Sequence, residues 1–255
     1  NPKHGYGKNL NPCIDCRILM LKNAKKLMEE KGASFLITGE VLGQRPRSQY
    51  LAALKIIERE GGLDGLVLRP LSAKLLPLSV PEKEGWVNRE KLLEISGRSR
   101  KPQIDLADKY GIRDYPCPAG GCLLTDRGFA QRMKDLMTHS EITLNDVELL
   151  KTGRYFRLSL QTKLVVGRNK KENERLLRLA NTDDICFEPV EVKGPIGIGR
   201  GDFDQTMISL ASKIMARYSD GNDEVRIAYQ KLPGKETGSA RAKPMKDMEL
   251  QKLRI

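Results

Sequence analysis

Residues 34–49, with the sequence SFLITGEVLGQRPRSQ, run from a short apolar segment into a polar loop that contains two glycines. The apolar segment, Ser34 to Thr38, is typical of a buried strand, and the pattern from Ser48 to Arg59 is typical of a helix. Gly65 to Leu68 predicts a second strand. Because strand and helix alternate here, the sequence predicts an α/β fold with a parallel sheet.

Polar residues follow both predicted strands. In an open parallel sheet, ligands bind in the crevice at the carboxyl ends of the strands, and arginine side chains match the geometry of phosphate oxygens. These loops therefore predict a site for a polyphosphate or for RNA, and the alternative is two polar connections with incidental basic residues. The candidate residues are Gly39, Glu40, Gln44, Arg45 and Arg47 after the first strand, and Arg69 and Lys74 after the second.

Three cysteines lie in two motifs that suit metal or sulfur chemistry. Cys13 and Cys16 form a C-x-x-C pair at a predicted helix start, with Asn11 as the N-cap and Pro12 at the first helical position. The helix dipole favours thiolates there. Cys122 follows two glycines far downstream. Three thiolates can hold a metal or cluster and leave one position open, which predicts a catalyst. The alternative is a redox pair or half of a zinc site, with Cys122 in the core.

The remaining cysteines and the apolar content bear on the compartment. Cys186 lies in a strand pattern and is expected in the core, whereas Cys117 is a ligand, a resolving thiol or a bystander. The odd total of five cysteines, without a visible secretory signal, indicates a reducing compartment, so a cytoplasmic protein is expected. No apolar run approaches the length of a membrane span, so no membrane partner is expected.

The charge of the chain favours a polyanionic partner. Lys and Arg total 45 against 33 Asp and Glu, which gives a net charge of +12 at pH 7. Nucleic acid is the leading candidate for such a protein. Residues 151–180 contain nine basic and two acidic residues, so RNA contacts are predicted there, although a solvated helix face is the alternative. The predicted RNA-binding residues are Lys151, Arg154, Arg168, Lys170 and Lys171.

The pattern along the chain predicts two domains and a tail. The first domain is expected over residues 1–145, and a small α+β domain is expected over 146–232. Residues 233–255 are polar and basic and are predicted to form a flexible tail. Helices are predicted at 13–31, 48–59, 88–96, 100–110, 128–139, 171–180 and 203–218, and the later strands at 155–158, 163–166, 186–192 and 224–230.

The two parts of the chain resemble different known proteins. Over roughly residues 1–135 the sequence resembles the PP-loop ATP pyrophosphatase proteins related to bacterial tRNA 2-thiouridine synthases. Residues 150–230 resemble an RNA-binding module of the NFACT type, on the segments Val166-Gly167-Arg168-Asn169 and Glu172-Asn173. The motifs of the first resemblance are Asn11-Pro12-Cys13-x-x-Cys16, Thr38-Gly39-Glu40-x-Leu42-Gly43-Gln44-Arg45-Pro46, Arg69-Pro70-Leu71-Ser72-Ala73-Lys74 and Pro118-Ala119-Gly120-Gly121-Cys122.

The first resemblance implies an adenine nucleotide alpha hydrolase-like fold and ATP-dependent thiolation of a tRNA uridine through an adenylated intermediate. It implies ATP, Mg²⁺, tRNA and either a sulfur donor protein or sulfide as partners. Sulfur chemistry would use a [4Fe-4S] cluster held by Cys13, Cys16 and Cys122, or a cysteine persulfide. The rival is a non-catalytic RNA-binding protein with structural Zn²⁺ or a cluster, and the oligomeric state, monomer or homodimer, stays open.

Two departures from this family bear on its implied activity. The S-G-G-x-D-S loop that binds ATP in the family lies upstream of the C-x-x-C, and no such loop exists in this sequence. A chain shortened at its N-terminus is therefore expected, and ATP use by this chain alone is in question. Glu40 also stands where many relatives carry histidine in T-G-H, and a contact to Mg²⁺ or to a ribose is the role considered for it.

Overall fold

In the computed structural model, which describes residues 1–115, 121–221, 223–234 and 237–255, the chain divides into two units, Asn1–Thr125 and Asp126–Ile255. Cys117 and the Pro118 to Gly120 part of the cysteine motif lie outside the described residues. No helix within those ranges is long and apolar enough to cross a membrane.

The first unit is built on two helices and a short parallel sheet. Helix α1 is Cys13–Glu30, strand β1 is Leu36–Ile37, helix α2 is Leu51–Gly61 and strand β2 is Val67–Leu68. β1 and β2 pair in parallel, which confirms the predicted parallel sheet. The strands are shorter than predicted. Both strand segments continue as loops after the bond from the Thr38 amide to the Leu68 carbonyl (3.0 Å). Apolar residues of both helices form the core, among them Ile14, Ile18, Leu21, Ala53 and Ile57.

The rest of the first unit is short and mostly irregular. It contains helices α3 (Val80–Lys83) and α4 (Lys101–Lys109), and 3₁₀ turns at Ala73–Leu75, Arg89–Lys91 and Leu123–Thr125. The prediction of a helix over 88–96 is wrong. The amides of Leu93 and Ile95 donate to the Pro70 and Leu71 carbonyls (2.9 and 2.8 Å), so beyond the 3₁₀ turn this segment bonds to the chain after β2.

The second unit is a six-stranded antiparallel sheet with helices. The strands are β3 (Arg154–Arg157), β4 (Lys163–Val166), β5 (Ile185–Pro189), β6 (Gly197–Arg200), β7 (Val225–Lys231) and β8 (Thr237–Ala242), in the order β3-β4-β6-β5-β7-β8. The helices are α5 (Arg127–His139), α6 (Leu144–Leu150), α7 (Lys170–Leu179), α8 (Gln205–Arg217) and α9 (Asp247–Leu253).

Helix α8 covers one face of this sheet. Its buried residues Ala211, Ile214 and Met215 pack with alternate strand residues such as Phe156 and Leu164. Tyr155 and Val165 point to the opposite face and are also buried, as expected of a sheet covered on both sides.

The second unit departs from the sequence predictions at both ends. It begins at Asp126, not near residue 145, because α5 is bonded to the sheet through Arg157 Nε and Asp135 Oδ1 (3.1 Å). The prediction of a flexible tail is wrong for the described residues 237–255. β8 pairs with β7, and both Met245 and, within α9, Leu250 are buried in the core, so the apolar residues of this polar segment outweigh its composition.

A cluster of buried charges lies between α6 and the sheet. Asp146 Oδ1 accepts hydrogen bonds from Lys163 Nζ and from Arg200 Nη1, both at 2.8 Å. Thr143 Oγ1 donates to Asp146 Oδ2 (2.6 Å), and Arg200 Nη2 also donates to Asp184 Oδ2 (2.7 Å). Burial on its own would raise the pKa of Asp146, but the bonds from Lys163, Thr143 and Arg200 outweigh it and lower this pKa to about 2.

This lowered pKa predicts an acid-sensitive contribution to stability. Because the pKa of Asp146 is lower in the folded chain than in the unfolded chain, its stabilisation is present above about pH 4 and is lost as the pH falls towards 2. We expect Asp146→Asn to lower the free energy of unfolding by about 2 kcal/mol at pH 7 and by almost nothing near pH 2. Urea unfolding of both proteins over this pH range measures the difference, in which contributions from the rest of the chain cancel. A difference independent of pH would contradict the prediction.

Candidate functional site

The C-x-x-C pair lies in the first turn of α1. Cys13 is half-buried and Cys16 is exposed. The helix begins at Cys13, with Pro12 and not the predicted Asn11 at the N-cap position. Asn11 Oδ1 instead accepts a hydrogen bond from Cys13 Sγ (2.9 Å), so the asparagine orients the thiol.

The Cys122 segment lies beside the segment that leads into α1. The Leu10 amide donates to the Leu124 carbonyl (3.2 Å), and Asn9 Nδ2 donates to the Thr125 carbonyl (2.7 Å). Thr125 Oγ1 donates to the Cys122 carbonyl (2.6 Å), which fixes the turn that carries this cysteine. Two cysteine motifs that are more than 100 residues apart in sequence are therefore on neighbouring segments of one unit.

The three thiols do not form a ready ligand set. Within the described ranges, no group of three or more His, Cys, Asp or Glu side chains is placed to hold one metal ion. In this arrangement Cys13, Cys16 and Cys122 are not gathered around one ion, and their role as ligands of a cluster or of zinc stays a prediction. Burial raises the pKa of the Cys186 thiol to about 11, so this thiol stays protonated at neutral pH.

A cavity of about 540 Å³ lies where the two parallel strands end. Gly39 follows β1 and Leu71 follows β2, so both strand ends contribute to its wall. Gln44 Nε2 donates to Gln103 Oε1 of α4 (3.0 Å), and both amides lie at the cavity. The volume is within the range of about 300–1,000 Å³ that is usual for small-ligand sites. The lining is mostly apolar and includes Gly39, Gln44, Leu71, Gln103, Ile104 and Tyr115.

Arg69 and Glu40 belong to a buried ion cluster and not to this cavity wall. Arg69 is only 3% exposed, and its Nε donates to Glu40 Oε2 (3.0 Å) while its Nη1 donates to Glu58 of α2. Arg17 Nε of α1 lies 3.4 Å from Glu40 Oε1. Arg69 therefore already has carboxylate partners, but its Nη2 and Glu40 Oε1 are buried without a hydrogen-bond partner among the described residues. The roles of Arg69 and Glu40 toward phosphate, Mg²⁺ or ribose stay predictions.

The remaining predicted phosphate ligands also have protein partners. Arg47 Nη2 donates to the His4 carbonyl (2.7 Å), so it fastens the N-terminal segment. Lys74 Nζ donates to the Glu90 carbonyl (3.0 Å). Arg45 is half-buried and also has an interaction partner within the protein. Of the residues predicted around the strand ends, Gly39 and Gln44 are the two that line the strand-end cavity.

Arg154, Arg168 and Lys170 line one cavity of about 390 Å³ in the second unit. The Arg154 guanidinium lies 4.3 Å from the centre of the Tyr218 ring, and its Nη1 donates to the Gly167 carbonyl (3.1 Å). Sequence reasoning missed Tyr218, since nothing in the pattern of α8 shows that its end meets strand β3. We refer to this cavity, lined also by Gly167, Asn169, Asn173, Gly194, Pro195 and Tyr218, as the basic cavity.

Two of the predicted RNA-binding residues do not line the basic cavity, and two have ion-pair partners within the unit. Lys171 is exposed on α7 and does not line the basic cavity. Lys151 is exposed and paired with Glu148. Arg168 is half exposed and paired with Glu172, so part of the positive charge counted in the sequence is neutralised within the unit.

Comparison with known proteins gives one family match within each of the two units. Residues 6–74 match the family model described as thiamine biosynthesis protein (ThiI), and residues 153–254 match the model described as NFACT protein RNA binding domain. No curated protein matches the chain.

A solved structure, the C-terminal of the fibronectin/fibrinogen-binding protein from Streptococcus suis, is 13% identical, over 95% of this chain and 90% of that chain, with a TM-score of 0.36. At that TM-score the likeness defines neither fold nor function. The chain thus combines a segment similar to the ThiI family, which contains the C-x-x-C pair, with a domain similar to the NFACT RNA-binding domain.

Proposed function

We propose that this protein is an RNA-binding sulfurtransferase that places sulfur on a uridine of tRNA. The observation that carries the proposal is the hydrogen bonding of the Leu10 and Asn9 segment to Leu124 and Thr125, because it puts Cys122 on a segment that adjoins the C-x-x-C pair. The match to the ThiI family and the RNA-binding domain on the same chain support the choice of substrate.

A persulfide mechanism suits thiols that are neighbours without forming a metal site. Cys122 is exposed on its turn and would carry the persulfide received from a sulfur donor. Cys13, whose thiol donates to Asn11 Oδ1, would lose its proton to solvent and attack the inner sulfur of that persulfide as the thiolate, which forms a Cys13–Cys122 disulfide and releases HS⁻. A dithiol reductant would then restore both thiols.

The acceptor side of the reaction would use the strand-end cavity. Its aromatic and aliphatic lining suits a nucleobase, and the Gln44 and Gln103 amides offer donors and acceptors for a base edge. In the proposed reaction, the uridine oxygen attacks the α-phosphate of Mg²⁺-bound ATP and releases pyrophosphate, and HS⁻ then displaces AMP from the adenylated uridine. The residues that bind the triphosphate are not assigned, since Arg69 and Lys74 are engaged within the protein.

Product analysis tests the proposal. The protein is incubated with tRNA, ATP, Mg²⁺, a cysteine desulfurase and cysteine, and the digested tRNA is examined by mass spectrometry. A thiolated uridine whose formation requires both ATP and the protein is expected. Tight tRNA binding without any thiolated nucleoside, together with no sulfur loading of the cysteines, would instead support a non-catalytic RNA-binding protein. Iron and zinc analysis of anoxically purified protein decides between persulfide and metal chemistry.

A further inference from the structure

Arg154 and Tyr218 pack on each other in the basic cavity, and the Tyr218 ring is tilted by 44° against the ring of Phe156 in the core. Tyr218 follows α8, and its ring lies 6.1 Å from the ring of Phe156, which is fully buried in β3. On β3, Arg154 places its guanidinium 4.3 Å from the centre of the Tyr218 ring. The bond from Arg154 to the Gly167 carbonyl holds the guanidinium in this position. The Arg154–Tyr218 pair is therefore held by contacts within the protein.

Cations lie beside this pair in the same cavity. Lys170 is exposed and, in the part of the chain that the structure describes, has no ion-pair partner. Arg168 shares its charge with Glu172 but remains about half exposed. The backbone is close-packed behind them, because a Cβ at position 167 would come within 2.0 Å of Asn173 Oδ1. The cavity therefore contains the Arg154 guanidinium packed on the Tyr218 ring, next to the exposed ammonium group of Lys170.

We propose that the basic cavity takes one unpaired nucleotide of the bound RNA, with its base stacked on the Arg154–Tyr218 pair and its phosphate at Lys170 and Arg168. The inference rests on the proposed function only in requiring that this chain binds RNA. It adds that the RNA must offer a base outside a helix.

The size and chemistry of the cavity favour this occupant over a duplex. A volume of about 390 Å³ suits a group of nucleotide size, whereas an RNA helix is far wider. In a duplex both faces of each base are covered by neighbouring bases, but an unpaired base offers a free face to a guanidinium plane or an aromatic ring. Phosphate contacts alone would give binding without preference for unpaired RNA.

The test compares three RNA hairpins of one sequence: a perfect duplex stem, the same stem with one bulged nucleotide, and the same bulge with an abasic nucleotide. The full chain should bind the bulged hairpin about ten-fold more tightly than the perfect one, the usual scale of one base-stacking contact. The abasic bulge keeps the phosphate but removes the base, so it should bind like the perfect stem. This comparison requires no protein variant and so does not depend on the folding of any mutant.

Two variants assign the effect to the cavity. Arg154→Lys keeps the charge and removes the plane, so it should abolish the preference for the bulged hairpin over the perfect one. Arg178→Lys, an exposed position in the last turn of α7 that does not line the cavity, is the matched control and should keep the preference.

Several outcomes would overturn the inference. Equal affinity for the bulged and perfect hairpins would overturn it and leave RNA binding intact. A preference that persists with the abasic bulge or in Arg154→Lys would also overturn it, because the base or the guanidinium plane would then play no part. Absence of binding to any RNA would overturn both this inference and the proposed RNA-directed function.

Discussion

Replacing Cys122 with serine is expected to abolish sulfur loading of this protein, with a loss of at least about 100-fold, because the atom that accepts the sulfur is removed. Cys13→Ser should give a different result. Its hydroxyl keeps the hydrogen bond to Asn11 but cannot resolve a persulfide, so loaded Cys122 should accumulate and HS⁻ release should fall on the same scale. Labelling with ³⁵S-cysteine and a desulfurase, followed by peptide mapping without reductant, measures both steps.

The matched control for these variants is Cys186→Ser. Burial raises the pKa of the Cys186 thiol to about 11, so this side chain is a protonated thiol in β5 and should take no label. After one round of release, wild-type protein should contain a Cys13–Cys122 disulfide. Loading and release that proceed normally in Cys122→Ser would contradict the persulfide assignment, and stoichiometric iron held by all three cysteines would replace it with cluster chemistry.

The parallel pairing of β1 and β2 was predictable because local sequence carries most of the signal. Short apolar runs that alternate with helical spacing determine which segments are strands, and the polar loops mark where the strands end. Gly39 and Gln44, which follow the first strand, line the strand-end cavity, and their role in ligand binding stays a prediction. The flexible-tail prediction was wrong because it rested on the polar composition of the segment. The apolar residues Met245 and Leu250 are buried in the core.

Long-range pairing of charges was not predictable in the same way. A positive residue after a strand looks the same in sequence whether it faces phosphate or a buried carboxylate. Arg69 was predicted to serve phosphate, but its partners Glu40 and Glu58 come from a loop and a helix whose relative positions depend on the fold. The contact between Tyr218 and Arg154 was not predictable for the same reason, since it joins the end of α8 to an edge strand.

The ion cluster around Arg69 leads to the second large effect. Arg69→Met is expected to lower the free energy of unfolding of the first unit by about 3–5 kcal/mol, because removing one partner of a buried ion pair leaves uncompensated charge. Here two carboxylates, Glu40 and Glu58, would lose their shared partner, and Arg17 at 3.4 Å would compensate Glu40 only in part. Arg69→Lys should cost less but still destabilise, because one ammonium group replaces donors that reach both carboxylates.

Trp86 makes this prediction measurable in one unit. It is the single tryptophan of the chain, and it stacks on Phe35 next to β1 with ring centres 6.2 Å apart. Its fluorescence during urea unfolding therefore reports on the first unit. Arg59→Met, an exposed change in the last turn of α2, is the control and should shift the free energy of unfolding by no more than about 0.5 kcal/mol. Adding Glu40→Gln to Arg69→Met should recover part of the loss, because it removes one of the two unpaired charges. If Arg69→Met and Arg59→Met are equally stable, the cluster does not hold the unit together, and Arg69 becomes available again as a phosphate ligand.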